Sequence, residues 1–136
     1  MSTEKVSIES IAPVRVDLAG GTVDIWPLYL LLDQPKTINF GISLFAKTTI
    51  EAQPSSSPQV KLESLDQKKS NTFTWAQILD EKFEAIPELT LLVRLLRYFA
   101  KQHPNPQSLN FTLKTEAKSP SGAGLGGSSA LAISII

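Results

Sequence analysis

The feature that most constrains this chain is a glycine-rich segment that joins a strand pattern to a helix pattern. Before the segment, Leu109, Phe111 and Leu113 alternate with polar residues, which predicts a β-strand with one buried face. After it, SSALAISII reads as the start of an apolar helix. Glycines let a backbone turn tightly and approach a ligand closely, and a helix N-terminus favours negative charge. The sequence SPSGAGLGGSSAL therefore predicts an anion-binding loop that would fit a polyphosphate.

Alternating and helical patterns elsewhere predict an α+β domain that spans residues 1–136. Further strands are predicted at Val14–Leu18, Ala46–Ala52 and Val60–Leu62, and at TINFGISL, where Gly41 is expected to interrupt the strand. A capping box at Thr74 and Gln77 predicts a short helix. A longer helix is predicted after Pro87, with an apolar stripe of Leu89, Leu92, Val93, Leu96, Phe99 and Ala100. The polar stretches QPSSSPQ and DQKKSN are expected to be turns or loops.

Composition excludes several classes of protein. The 13 basic and 13 acidic residues balance, so no net charge attracts nucleic acid or an acidic membrane surface. The absence of cysteine and the single His103 exclude a disulfide framework and a thiolate or histidine metal cluster. The N-terminus has no signal-peptide pattern and no stretch is apolar enough to span a membrane. We expect a cytoplasmic protein.

Three known glycine loops fit the segment poorly. The phosphate loop G-x-x-x-x-G-K-[ST] needs a lysine that does not follow these glycines. The dinucleotide pattern G-x-G-x-x-G is met by Gly122, Gly124 and Gly127, so a nicotinamide-dependent oxidoreductase stays open, although Pro120 separates this loop from the strand. The protein-kinase loop requires a strand behind it, where this sequence predicts a helix. A merely flexible connection is the remaining structural alternative.

A fourth pattern agrees in detail. The segment resembles the phosphate-binding motif of the GHMP kinases (galactokinase, homoserine kinase, mevalonate kinase and phosphomevalonate kinase), which is close to P-x-x-x-G-L-G-S-S-A. Gly127 departs from it, because the family usually has serine there. The resemblance implies that Ser128 approaches Mg²⁺ through the nucleotide. It also implies an ATP-binding loop of Pro120, Gly122, Ala123, Gly124, Leu125, Gly126, Gly127, Ser128 and Ser129.

A second segment, APVRVDLAGGTVDIWP, resembles the first motif of the same family, nearest to its heptose-phosphate and fucose kinase branch. Thr22 and Val23 depart from that branch. The resemblance implies that Asp24 accepts hydrogen bonds from substrate hydroxyls and that Arg15 orients the substrate or offsets charge on the transferring phosphoryl group. It implies substrate binding by Arg15, Gly20, Gly21 and Asp24. The alternatives are a turn or N-cap role for Asp24 and a solvated strand face for Arg15.

Together the two motifs imply a ribosomal protein S5 domain 2-like fold and an enzyme that transfers the γ-phosphate of ATP, with Mg²⁺, to a hydroxyl of a small sugar or sugar phosphate. Because the chain ends soon after the glycine loop, we expect an incomplete N-terminal domain that lacks the C-terminal domain and the catalytic base, and that is inactive alone. The alternatives are a non-catalytic sugar or nucleotide sensor on the same fold, or a mevalonate-type kinase.

Overall fold

Five strands form one mixed β-sheet, and the helices that cover it lie against one face. The computed structural model describes residues 4–21, 23, 25–103, 105–120 and 124–136. The strands are β1 (Val6–Ala19), β2 (Ile38–Pro54), β3 (Val60–Ser64), β4 (Lys69–Phe73) and β5 (Leu109–Ala117). Their order across the sheet is β1-β2-β5-β3-β4. All neighbouring pairs are antiparallel except β3 and β5, which are parallel.

Three helices carry the apolar residues that the sequence places at helical spacing. They are α1 (Trp75–Leu79), α2 (Pro87–Ala100) and α3 (Gly127–Ile135). The predicted capping box is confirmed, since Thr74 accepts from the Gln77 N–H and the Gln77 side chain accepts from the Thr74 N–H. No helix in the described part of the chain is long and apolar enough to cross a bilayer. Residues 28–31 and 106–108 form short 3-10 turns.

The core has two parts, one under each end of the helical layer. The larger part lies between β3, β5 and the pair α1 and α2, and it is built from side chains that include Leu62, Ile78, Leu89, Leu92 and Leu113. The smaller part lies under α3 and consists of Ala12, Val14, Ala46 and Ala130. Alanines at this second contact let α3 approach β1 and β2 closely, which places the segment before α3 directly over β1.

Three strand expectations are wrong. Gly41 does not interrupt a strand, because β2 runs continuously through it. The second half of DQKKSN is not a loop, because Lys69 and the residues after it pair with β3 as β4. Leu18 does not share the buried face of Val14, since it is 65% exposed. Between Asp17 and Ala19 the register of β1 advances two residues while β2 advances one, so the extra residue, Leu18, turns outward.

A buried pair of hydroxyl groups links α3 to the sheet, and we expect its removal to change the free energy of unfolding. The Thr48 and Ser134 oxygens lie 2.6 Å apart, and Ser134 donates to the Leu131 carbonyl at 2.8 Å, so Thr48 donates to Ser134. Ser134→Ala leaves the Thr48 hydroxyl without its acceptor and should lower the free energy of unfolding by about 1–3 kcal/mol. Adding Thr48→Val should recover most of the loss in urea unfolding, and additive effects of the two changes would contradict the pairing.

Glu63 gives a pH-dependent contribution to stability. The hydrogen bond from Lys61 holds the pKa of Glu63 below its usual value of 4.5, and the charges of Lys61 and Lys114 act in the same direction, while burial opposes them. A carboxyl with a depressed pKa in the folded state stabilises the fold above pH 4.5, and this contribution disappears as the pH falls through the folded-state pKa. The stability difference between wild type and Glu63→Gln should therefore be largest near neutral pH and shrink below pH 4.5, as followed by urea unfolding at each pH. A difference that does not change with pH would contradict the shift.

Candidate functional site

The glycine loop is described from Lys118 to Pro120 and from Gly124 into α3. Gly124 and Gly126 have positive φ angles of 68° and 64°, the left-handed region in which side chains are strained. Gly126 is the N-cap of α3, and its carbonyl accepts the first helical hydrogen bond from the Ala130 N–H at 2.9 Å. The two glycines thus make the turn that brings the backbone into the helix. Gly122, Ala123 and Asp24, all predicted site residues, lie outside the described residues.

The start of α3 offers main-chain donors. The first N–H groups of a helix have no partner within the helix, and here the N-cap has no side-chain hydrogen bond either. Ser128 and Ser129 are exposed and lie one and two residues inside the helix. A glycine, Gly126, holds the N-cap position, and the two serines follow it inside the helix. Their hydroxyls are left at the surface beside the N–H groups.

The first motif forms a turn packed against its own strand. Gly20 has φ 75°, and the Val23 N–H donates to the Gly20 carbonyl at 3.1 Å. A Cβ atom on Gly20 would lie less than 3.0 Å from the Lys36 carbonyl oxygen, and one on Gly21 would lie 3.0 Å from the Asp17 carboxylate. Gly20 is therefore required by its backbone conformation and by a backbone contact, whatever it contributes to a substrate, while a side chain at position 21 would need the Asp17 carboxylate to shift.

The structure brings the two motifs together. The Arg15 N–H on β1 donates to the Leu125 carbonyl in the glycine loop at 3.4 Å, and a Cβ on Gly126 would lie 3.8 Å from Arg15 Cγ. The Arg15 guanidinium pairs with Asp17 on the same strand, Nε to Oδ1 at 3.2 Å. Two segments more than 100 residues apart in sequence thus meet where the helix begins.

A cavity of about 580 Å³ opens beside the loop. The glycine loop and the start of α3 form one wall, the turn after β3 forms a second, and the beginning of α2 forms a third. This volume falls within the range of small-molecule sites. The described lining residues are Ser64, Asp66, Gln67, Pro87, Glu88, Leu91, Leu92, Ala117, Ser119, Pro120, Gly124, Leu125, Gly126, Gly127, Ser128, Ser129 and Leu131.

The charged residues of the cavity lie on the wall formed by the turn after β3 and on the wall formed by the beginning of α2. Asp66 accepts from the Ser64 hydroxyl at 3.2 Å and from the Ala117 N–H at 3.3 Å, and Glu88 pairs with Lys69 at 3.7 Å. None of the described lining residues is a lysine or an arginine. An anion at the loop would therefore be held mainly by main-chain N–H groups and hydroxyls. Asp66, Gln67, Glu88 and Ser119 were missed as site residues, because only folding brings α2, the β3 turn and the loop together.

The residues present fit a nucleotide that carries its own metal ion. In the described part of the chain, no group of three or more histidine, cysteine, aspartate or glutamate side chains lies close enough together to hold a metal. The exposed Ser128 hydroxyl at the loop could serve as one oxygen ligand, and the phosphates of a nucleotide would have to supply others. Donors for phosphate and a single hydroxyl for the metal are consistent with ATP and Mg²⁺ bound together.

No protein-family model and no curated protein sequence matches the chain. Solved structures do match. A D-glycero-D-manno-heptose 1-phosphate kinase from Bacteroides thetaiotaomicron is 25% identical with a TM-score of 0.73, over 96% of this chain and 40% of that one. The mevalonate kinase of Methanococcus jannaschii is 20% identical with a TM-score of 0.67, over 96% of this chain and 38% of its own.

A galactokinase from Lactococcus lactis, complexed with galactose, is 18% identical with a TM-score of 0.61, and 93% of this chain covers 30% of it. The chain thus spans between about a third and two fifths of the length of these kinases. All three are GHMP kinases, and the mixed five-stranded sheet with its helices on one face matches their N-terminal domain. The chain thus has the α+β fold of the N-terminal domain of GHMP kinases.

Proposed function

We propose that the chain forms the ATP-binding and substrate-orienting part of a small-molecule kinase that phosphorylates a hydroxyl of a sugar or sugar phosphate. The observation that carries the proposal is the meeting of the two motifs, through Arg15 and Leu125, at the edge of a cavity walled by the start of α3. The kinases with matching folds act on a heptose phosphate, on mevalonate and on galactose-type sugars, by their names. The first motif favours a sugar.

The proposal assigns a role to each group of residues at the phosphate end of the site. The N–H groups from Gly126 to Ser129 bind the terminal phosphates, because they point out of the helix N-terminus and have no helical acceptor. The Ser128 hydroxyl is proposed to contact the metal ion. Arg15, oriented by Asp17, offsets charge near the phosphoryl group. The Ser128 hydroxyl would help to hold Mg²⁺, which would supply positive charge to the phosphates during transfer.

The substrate side of the proposal rests on the turn at Gly20. Asp24 follows this turn in sequence and is proposed to accept hydrogen bonds from substrate hydroxyls. Because the chain covers only part of the length of the matching kinases, the transfer step and the general base are proposed for a protein of full kinase length. We propose a cytoplasmic location for that protein.

Binding of a non-hydrolysable ATP analogue with Mg²⁺ tests the nucleotide site. Titration followed by amide chemical shifts should move the signals of Gly124 to Ser129 and of residues lining the cavity, while signals at the far end of β2 stay in place. NAD serves as the competing ligand, because the glycine spacing also permits a dinucleotide. Shifts that arise only with NAD, or only away from the loop, would contradict the kinase proposal.

Turnover separates a kinase from a sensor on the same fold. A protein of full kinase length should consume ATP in the presence of a hexose or heptose phosphate, with phosphate appearing on the sugar. A mevalonate-dependent signal would favour the mevalonate-type alternative. Binding of sugar and ATP without transfer would instead identify a sensor.

A further inference from the structure

The Ser119 side chain occupies the space in which a side chain at position 127 would lie. A Cβ atom on Gly127 would lie less than 3.0 Å from Ser119 Oγ, a separation that real Cβ atoms essentially never show. The hydroxyl of Ser119 therefore lies where a side chain at position 127 would begin. Gly127 has no positive φ angle, so its backbone conformation does not require glycine. A side chain at position 127 would therefore require the Ser119 hydroxyl to move out of this space.

This space lies in the proposed phosphate site. Position 127 is the first residue of α3, beside the N–H groups that have no helical acceptor. Ser119 is half-buried and lines the 580 Å³ cavity together with the glycine loop. The family pattern described above has a serine at position 127, so Gly127 is a departure from it. Position 127 on the helix thus has no hydroxyl, and the Ser119 hydroxyl, from the segment that precedes the glycine loop, lies in the same space.

We infer that Ser119 binds the nucleotide phosphates and supplies, from the strand side of the loop, the hydroxyl that Gly127 cannot supply. A hydroxyl at this place donates to an anionic phosphate oxygen, and hydrogen bonds to charged groups are stronger than those between neutral groups. Since no lysine or arginine is among the described lining residues, each neutral donor carries a larger share of phosphate affinity. The inference rests on the proposed function, because it assumes that a nucleotide occupies this cavity.

The test is a two-residue exchange, read out as affinity for Mg·ATP and for adenosine. Ser119→Ala should weaken Mg·ATP binding about tenfold and leave adenosine binding unchanged, because only the phosphate contact is lost. Gly127→Ser alone should also weaken it, because its Cβ displaces the Ser119 hydroxyl. The double variant, with alanine at 119 and serine at 127, should regain most of the wild-type affinity. Ser10→Ala, a half-buried serine on β1 away from the cavity, is the matched control and should bind as wild type does.

The outcomes distinguish the inference from the function on which it rests. If wild type binds Mg·ATP and Ser119→Ala binds it equally well, the inference is overturned while the proposed function stands. If Ser119→Ala weakens Mg·ATP and adenosine alike, or the double variant is no better than the single ones, the residue is structural and the inference is also overturned. If wild type binds no nucleotide, both fail. Thermal unfolding of each variant shows that the comparison is between folded proteins.

Discussion

Gly20→Ala is expected to lower the free energy of unfolding by about 2–4 kcal/mol. An alanine at the φ angle of 75° is strained by about 1–2 kcal/mol. In addition, its Cβ atom would lie less than 3.0 Å from the Lys36 carbonyl oxygen, so the backbone must shift. This is a large part of the 5–15 kcal/mol that typically separates folded from unfolded domains. Urea unfolding measures the loss directly.

Gly41→Ala is the matched control for this prediction. Gly41 lies in β2, has no positive φ angle, and has no atom within 4 Å of where its Cβ would be. Alanine there should leave stability unchanged or raise it slightly, because glycine weakens a strand interior. Equal effects of the two substitutions would contradict the conformation of the Gly20 turn.

Gly126→Val is expected to weaken Mg·ATP binding by at least about tenfold. A β-branched residue at φ 64° is strained, so the free loop should relax out of the left-handed conformation and turn the N–H groups of α3 away from a common point. Restoring the conformation on binding costs about 1–3 kcal/mol, and 1.4 kcal/mol corresponds to tenfold in affinity. Isothermal titration of the purified chain measures the change.

The control for the loop substitution is Gly41→Val, which places the same side chain in open space on a strand. It should bind nucleotide as wild type does. If Gly126→Val retained full affinity, the N-cap conformation would not be needed for binding, and the proposal that the start of α3 holds the phosphates would fail.

Local patterns were sufficient to predict the elements whose determinants lie close together in sequence. The capping box at Thr74, the proline at the start of α2 and the alternation in β5 each depend on residues within one or two turns of chain. β4 was missed because KSNTF has only one buried residue, Phe73, and forms a strand only because β3 pairs with it. Its stability comes from a tertiary partner that no local pattern contains.

Some parts of the candidate site could likewise be predicted from local sequence, whereas others depend on the tertiary structure. The glycine loop and the turn at Gly20 could be predicted because unusual residues stand at fixed spacings. The hydrogen bond from Arg15 to Leu125 and the cavity walls at Asp66 and Glu88 depend on how β1, β3 and α2 are arranged around the loop. Ser119 and Gly127 are only eight residues apart in sequence. Their close approach nevertheless becomes apparent only when a Cβ atom is built on Gly127 in the folded structure.

The position of β5 in the sheet sets an order of events during synthesis on the ribosome. β1 with β2, and β3 with β4, are antiparallel hairpins whose strands are all translated before β5, but the two hairpins do not pair with each other. Among the described strands, β5 is translated after the other four and joins them by pairing with β2 on one side and β3 on the other. Such long-range pairing is slow compared with local pairing. Until then each hairpin exposes an open edge to aggregation or to chaperones, and the strand that ends this exposure is the one that leads directly into the glycine loop.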